Sequence, residues 1–217
     1  MKNILPHNST LVFMVVSTLL MPGSMVTAQK SDRPSSPKKL SVNVDDTKVN
    51  WTGKKPGQEH TGYVKLRSGE FTLTNNEITG GSFIIDLRSI TDVDISDEGM
   101  NKKLVSDLKS QHFFDVARYP TAKFVITRIT RLPVNVNENP KATHQIEGDL
   151  SMKGITKKIS FEASINMLKG KLTVNTPPFS LDRTQWGINY QSKSVVADLK
   201  DRFIQDDIIL SIDLTTD

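Results

Sequence analysis

Apolar and polar residues alternate one for one in segment after segment of this chain, and that period restricts it to half-buried strands. Successive side chains of a strand point to opposite faces, so a one-for-one alternation places every apolar residue on one side. The clearest run is Lys157 to Ile165, where Lys157, Ile159, Phe161, Ala163 and Ile165 oppose Lys158, Ser160, Glu162 and Ser164. The same pattern holds at Leu40 to Val44, Val49 and Trp51, Gly62 to Leu66, Phe71 and Leu73, Phe83 to Leu87, His144 to Leu150, Leu172 and Val174, and Ile208 to Leu214. Thr121 to Arg131 is rich in β-branched and aromatic residues, as a strand requires. Turn residues separate the runs: Pro56-Gly57, Ser68-Gly69, Asn75-Asn76 and Lys153-Gly154. Strands joined so tightly are antiparallel neighbours. About eight of them are expected, and closing them into a barrel removes the exposed edges.

One segment breaks the pattern. After Ile90 the chain turns polar and acidic, Asp97 can cap a helix, and Glu98 complements its first-turn dipole. Met100, Leu104 and Leu108 recur every four residues, which predicts a short amphipathic helix over Gly99 to Leu108. Phe113 and Phe114 follow, and Tyr119-Pro120 ends the segment. The expected fold class is all-β: an eight-stranded antiparallel barrel with a short α-helical lid. Gly80-Gly81, just before Phe83, marks a turn or a place of close backbone approach.

The first residues read as a secretory signal peptide: Lys2 and His7, an apolar run from Leu11 to Met21, and Val26-Thr27-Ala28 with cleavage after Ala28. The expected division is a signal peptide over 1–28, a flexible leader over 29–39 containing Pro34 and Pro37, and one barrel domain over 40–217. Leu132 to Thr143, with its prolines and asparagines, reads as an exposed loop. The expected location is periplasmic or secreted, with no membrane-spanning segment after cleavage. Removing Lys2 leaves 27 of the 28 basic residues against 24 acidic ones, a charge of +3. The basic residues are scattered, which argues against a nucleic-acid partner. With no cysteine in the chain, the barrel must be held by its core alone.

The standard catalytic signatures are missing. The sequence has no phosphate loop, dinucleotide fingerprint, nucleophile elbow or ligand-spaced pair of histidines. His60, His112 and His144 lie far apart, so neither a catalytic group nor a metal site is expected from spacing. Three polar residues stand out: His60 at a strand start, Asp86 within an apolar strand, and Arg183 in Asp182-Arg183-x-x-Trp186-Gly187. They can satisfy one another or the backbone at a barrel rim, or meet the polar head of a ligand. The aromatics are either plain core or the wall of a ligand tunnel, since an eight-stranded barrel can be filled or can hold one small ligand.

Several motifs follow one another along the chain. They are Trp51, His60-Thr61-Gly62, Gly80-Gly81-x-Phe83-x-Ile85-Asp86-Leu87-x-Ser89-Ile90 and Asp107-Leu108-Lys109-Ser110 with Phe113-Phe114-Asp115-Val116. Tyr119-Pro120-Thr121-Ala122-x-Phe124, Gly148-Asp149-Leu150-x-Met152-Lys153-Gly154 and Asp182-Arg183-x-x-Trp186-Gly187 complete the set. Together and in this order they resemble the YceI-like family, exported bacterial proteins of lipocalin-like fold, and the resemblance covers Val49 to Leu214. It implies an extended barrel with an apolar tunnel that binds a long polyisoprenoid, an isoprenoid quinone or a prenyl pyrophosphate, without catalysis. It also implies quinone storage or transport near a membrane electron-transfer protein. The expected tunnel lining is Phe83, Ile85, Phe113, Phe124, Ile159, Phe161 and Trp186, with His60, Asp86 and Arg183 as head-group candidates. Two alternatives stand beside it: an enzyme acting on a lipid head group through a His60/Asp86/Arg183 cluster, and a filled barrel serving as an interaction module.

Overall fold

The structure is a computed structural model that describes residues 36–133 and 142–217. The expected signal peptide, most of the leader and most of the Leu132–Thr143 loop lie outside the described residues. The strands are β1 (Lys38–Ser41), β2 (Lys48–Lys55), β3 (Gln58–Thr74), β4 (Glu77–Asp92), β5 (Thr121–Arg131) and β6 (His144–Met152). They continue with β7 (Ile155–Leu168), β8 (Lys171–Asn175), β9 (Phe179–Asp182) and β10 (Asp207–Thr215). Among the described residues there is one α-helix, α1 (Glu98–Lys109), between β4 and β5. β1 starts inside the expected leader, since Lys38 and Lys39 pair with Leu73 and Thr72 of β3.

All pairings between these ten described strands are antiparallel. Eight strands follow one another as β3-β2-β10-β8-β7-β6-β5-β4, and a β3–β4 pairing closes the ring. The two further strands extend the wall lengthwise: β1 continues along β3 beyond β2, and β9 continues along β10 beyond β8. The expected eight-stranded barrel with one helix is what forms. Three hairpins turn on paired left-handed residues, which match the twist of the strands they join. They are Asn75-Asn76 (φ 53° and 64°), Lys153-Gly154 (φ 51° and 76°) and Lys169-Gly170 (φ 52° and 83°).

Ser68-Gly69 is not a turn. β3 runs straight through it as part of one strand of 17 residues, with a register shift against β4 between Leu66 and Ser68. A Cβ on Gly69 would stand 2.8 Å from the Phe83 ring, so this glycine makes room for an aromatic side chain. Gly81 does the same: its Cβ would lie 3.0 Å from the Phe83 ring and from the Glu70 carbonyl. Of the two readings of Gly80-Gly81, close approach is the one found.

β4 carries the irregularity that matters most for the site. Lys65 pairs with Asp86, yet Tyr63, two residues back on β3, pairs with Thr91. The extra residues form a bulge in β4. Ser89 holds the bulge by accepting from the Lys65 N–H at 2.8 Å and donating to the Asp86 carbonyl at 2.6 Å. An odd shift inverts the alternation. Phe83 and Leu87 are therefore buried before the bulge, and Ile90 and Asp92 after it.

Asp97 caps α1 as expected, accepting from the Met100 N–H at 2.8 Å. The apolar face is shorter than its spacing suggested. Leu104 and Leu108 face inward, while Met100 is 66% exposed. The helix shares one end of the barrel with the β2–β3 hairpin, the β6–β7 turn and the segment after β9. The β3–β4 and β7–β8 hairpins lie at the other end. No helix among the described residues is long and apolar enough to cross a membrane.

Candidate functional site

The barrel interior is hollow. A cavity of about 310 Å3 runs from the β2–β3 hairpin down to Val174 and Leu214. That is within the range of small-molecule sites, roughly 300–1,000 Å3. On β3 alone the wall extends from Gln58 to Phe71. Thirteen residue steps of about 3.3 Å, reduced by a tilt of about 40°, give a length on the order of 30 Å.

Five phenylalanines girdle this space. Phe71 meets Phe83 edge-on at 5.0 Å, and Phe83 stacks with Phe124 at 6.3 Å. Phe124 then meets Phe161 at 5.6 Å, and Phe161 stacks on Phe179 at 4.6 Å. The rings come from five different strands, and small residues beside them make room. A Cβ on Gly148 would stand 2.4 Å from the Phe124 ring. Aliphatic residues fill the wall between the rings, among them Val64, Leu87, Ala122 and Leu150.

Of the expected lining, Phe83, Ile85, Phe113, Phe124, Ile159 and Phe161 face the cavity. Trp186 does not. It is 1% exposed, its indole N–H donates to the Leu150 carbonyl at 3.0 Å, and it packs with its short 3-10 turn beside β7. The indole seals a stretch of wall where β9 pairs with β10 and not with β7. Sequence reasoning missed Trp51, Phe71, Phe179, Leu104 and Leu108 as wall residues. Their spacing carried the signal for strand or helix, but nothing in it marked which face of a closed ring turns inward.

The polar wall residues gather at one end: Lys54, Lys55, Gln58, His60, Arg183 and Gln205. Lys54 joins this rim together, its carbonyl accepting from the Gln205 N–H at 2.8 Å. Trp51 reaches the same end of the wall, and its indole nitrogen is buried with no hydrogen-bond partner. Phe113 is fixed there by Lys153, whose Nζ donates to its carbonyl at 2.5 Å. Burial lowers the Lys153 pKa, against the opposing pull of Asp115.

The three head-group candidates are bonded to three different sets of partners. Arg183 is 1% exposed. Its guanidinium donates to the carbonyls of Ile188 at 2.6 Å, Gln205 at 3.1 Å and Ile204 at 3.1 Å. Burial lowers its pKa, and Asp206 and Asp182 partly restore it. The arginine thus clamps the segment after β9. Asp86 is not a wall residue. It follows Ile85 on the strand, so it points to the opposite face, and Arg88 holds it through Nε–Oδ1 at 2.8 Å and Nη2–Oδ2 at 3.3 Å. That hydrogen bond lowers the Asp86 pKa against a smaller effect of burial. No hydrogen bond joins His60, Asp86 and Arg183 to one another, so the acid–base cluster that an enzyme reading requires does not assemble.

His60 has other company. Its Nδ1 lies 3.0 Å from Asp94 Oδ2, and its Nε2 lies 2.9 Å from the Gln58 amide nitrogen. Asp92 completes a group whose ligand atoms all fall within 4.8 Å of one another. Burial raises the Asp92 pKa against the Ile95 N–H, with Asp94 adding to the rise. The Asp94 pKa is lowered: burial opposes the shift, but the Thr61 N–H and His60 outweigh it. Sequence spacing gave no sign of this group, because the β3–β4 register, Gly62 against Asp92, brings it together from residues some thirty positions apart.

The chain is similar to several known proteins. Two solved structures share the fold. The first is BcnA of Burkholderia cenocepacia (TM-score 0.60, 18% identity, covering 80% of this chain and 98% of that one). The second is a polyisoprenoid-binding domain from Saccharophagus degradans (TM-score 0.57, 14% identity, covering 82% and 97%). A UPF0312 protein of Pseudomonas putida and one of Pseudomonas syringae pv. tomato are each 39% identical over 59 residues, or 27% of this chain. The match spans about a quarter of the length of those curated relatives. A model of the YceI-like domain matches residues 39–216, nearly all of the barrel, and the chain therefore belongs to the YceI-like domain family.

Proposed function

We propose that this chain is an exported, non-catalytic binding protein that holds a long-chain polyisoprenoid lipid in its barrel. The observation that carries this reading is the cavity: long, walled by apolar side chains, and polar at one end only. An elongated hydrocarbon with a small polar head matches that distribution. The Saccharophagus degradans domain, described as polyisoprenoid-binding, has the same fold and supports the choice of ligand class. The interior is not packed solid, which disfavours the filled-barrel alternative.

Energetics make a head-group site dispensable. Each buried CH2 contributes about 0.8 kcal/mol, so about 20 carbons give about 16 kcal/mol. Loss of translational freedom and chain ordering cancels about half of that, which leaves about −8 kcal/mol, or micromolar affinity. The head, an isoprenoid quinone or a prenyl pyrophosphate, then rests at the rim. The unpartnered Trp51 N–H is the free donor nearest to hand there, with His60 in the same rim. Arg183 fixes the rim by holding the backbone. The apolar run before Ala28 supports export to the periplasm or beyond. In that setting the lipid is stored, or passed to a membrane electron-transfer protein.

Titration calorimetry with a detergent-dispersed prenyl quinone tests the reading. The expected result is one molecule bound per chain, with affinity rising as isoprene units are added. An affinity that does not depend on prenyl length contradicts it.

A further inference from the structure

We propose that His60, Asp92 and Asp94 form a binding site for a divalent transition-metal cation of the zinc class at the rim of the cavity. Three residues from two paired strands and the turn that follows bring their ligand atoms within 4.8 Å of one another. Asp92 is 7% exposed, and its Oδ2 is buried with no hydrogen-bond partner. A carboxylate oxygen left in that state is costly unless a cation or proton meets it.

The surroundings divide the work between the oxygens of each carboxylate. Asp92 Oδ1 accepts from the Ile95 N–H at 3.0 Å and from Asn101 Nδ2 at 3.0 Å. Asp94 Oδ1 accepts from the Thr61 N–H at 2.6 Å, and its Oδ2 faces His60 Nδ1 at 3.0 Å. Each Oδ1 is thus held by the protein, and each Oδ2 is left for the group. Metal sites use outer partners of this kind to aim their ligands. Rotating the Gln58 amide puts its carbonyl against His60 Nε2–H, which leaves the Nδ1 lone pair free to coordinate. Asn101 also reaches the Asp92 and Ile95 carbonyls, tying α1 to the loop that carries Asp94.

One imidazole nitrogen and two carboxylates suit zinc with a fourth position open. Calcium is a poor fit, since it takes six to eight oxygens. His60 is also a wall residue, so the site borders the mouth. The proposal stands whether or not the cavity holds a lipid.

The test uses the tag-free full chain after chelator treatment, dialysed against zinc sulfate and, in parallel, calcium chloride, with bound metal measured by mass spectrometry. One zinc per chain is expected, together with a zinc-dependent rise in Tm. His60→Gln, Asp92→Asn and Asp94→Asn should each lose both. Asn101→Ala should weaken binding about tenfold to hundredfold, as loss of an outer partner does. Asp86→Asn, which alters a carboxylate outside the group, should bind like the parent. Circular dichroism separates unfolding from loss of the site, and His60→Gln, at a half-buried position, provides a reading if Asp92→Asn misfolds. The proposal is overturned if zinc is not retained, if retention is unchanged in all three variants, or if calcium is preferred. A proton shared between the two carboxylates would give the first of these results.

Discussion

Replacing Ala122 with phenylalanine should separate stability from ligand binding. Ala122 is 3% exposed, pairs with Ile85 across β4 and β5, and faces the cavity beside Phe124. The new ring adds six carbons to a space that has room for them. Filling an existing cavity commonly stabilises a domain by about 0.5–2 kcal/mol. The same six carbons displace about six carbons of ligand, and at about 0.8 kcal/mol each that forfeits about 5 kcal/mol of binding, or some three decades in Kd. Urea unfolding and titration with a prenyl quinone read the two quantities separately. The expected pair is a midpoint that holds or rises and an affinity that falls at least a hundredfold. A fall in stability of more than about 2 kcal/mol, the signature of overpacking, would mean that the space is not there. Unchanged affinity would mean that the ligand lies elsewhere.

Three other perturbations follow from the same geometry. Arg183→Lys substitutes one ammonium for a guanidinium that serves three carbonyls. At least two of them lose their partner, at about 1–3 kcal/mol each, so chemical denaturation should show a loss of about 2–6 kcal/mol; native-like stability would contradict the clamp. Gly62→Ala places a Cβ 1.9 Å from the Thr91 carbonyl and 2.6 Å from the Trp51 ring. The backbone must shift, so Tm should fall by several degrees, on the scale of about 2–4 °C per kcal/mol for a domain of this size; a parent-like Tm would contradict that contact. His144 has its pKa lowered from 6.5 by burial, with Arg131 adding to the shift. The unfolded chain therefore binds more protons than the folded one just below pH 6.5. Stability should fall as the pH drops through that value, then level off once the folded-state His144 is also protonated, and His144→Gln should flatten that part of the profile.

Much of the barrel could be read directly from the chain. Ile146, Gly148 and Leu150 in β6, and Phe161 and Ala163 in β7, alternate without interruption and are buried as expected. Asn75-Asn76, Lys153-Gly154 and the Asp97 cap were equally plain, because each is a local solution to a local backbone need. Most of the failures come from contact across the ring. Ser68-Gly69 has the composition of a turn, yet that glycine exists for Phe83, a residue of the neighbouring strand. The bulge at Ser89 inverts the phase of β4, which hides Asp92 inside, while Asp86, ahead of the bulge, keeps the plain alternation and lies on the face opposite Ile85. Arg183 has the chemistry of a ligand clamp, but the local chain takes up its donors. Trp186 is as buried as a wall residue should be, but its indole is spent on the Leu150 carbonyl and does not line the cavity. His60, Asp92 and Asp94 meet only because of one strand register.

The elongated apolar cavity is proposed here as a lipid site. Native mass spectrometry of the protein purified without detergent, followed by solvent extraction and identification of what was bound, tests this. A one-to-one complex is expected, whose extracted component carries a prenyl chain and is not retained by Ala122→Phe. A protein that arrives empty, and that stays empty after incubation with prenyl quinones and prenyl pyrophosphates, would contradict it.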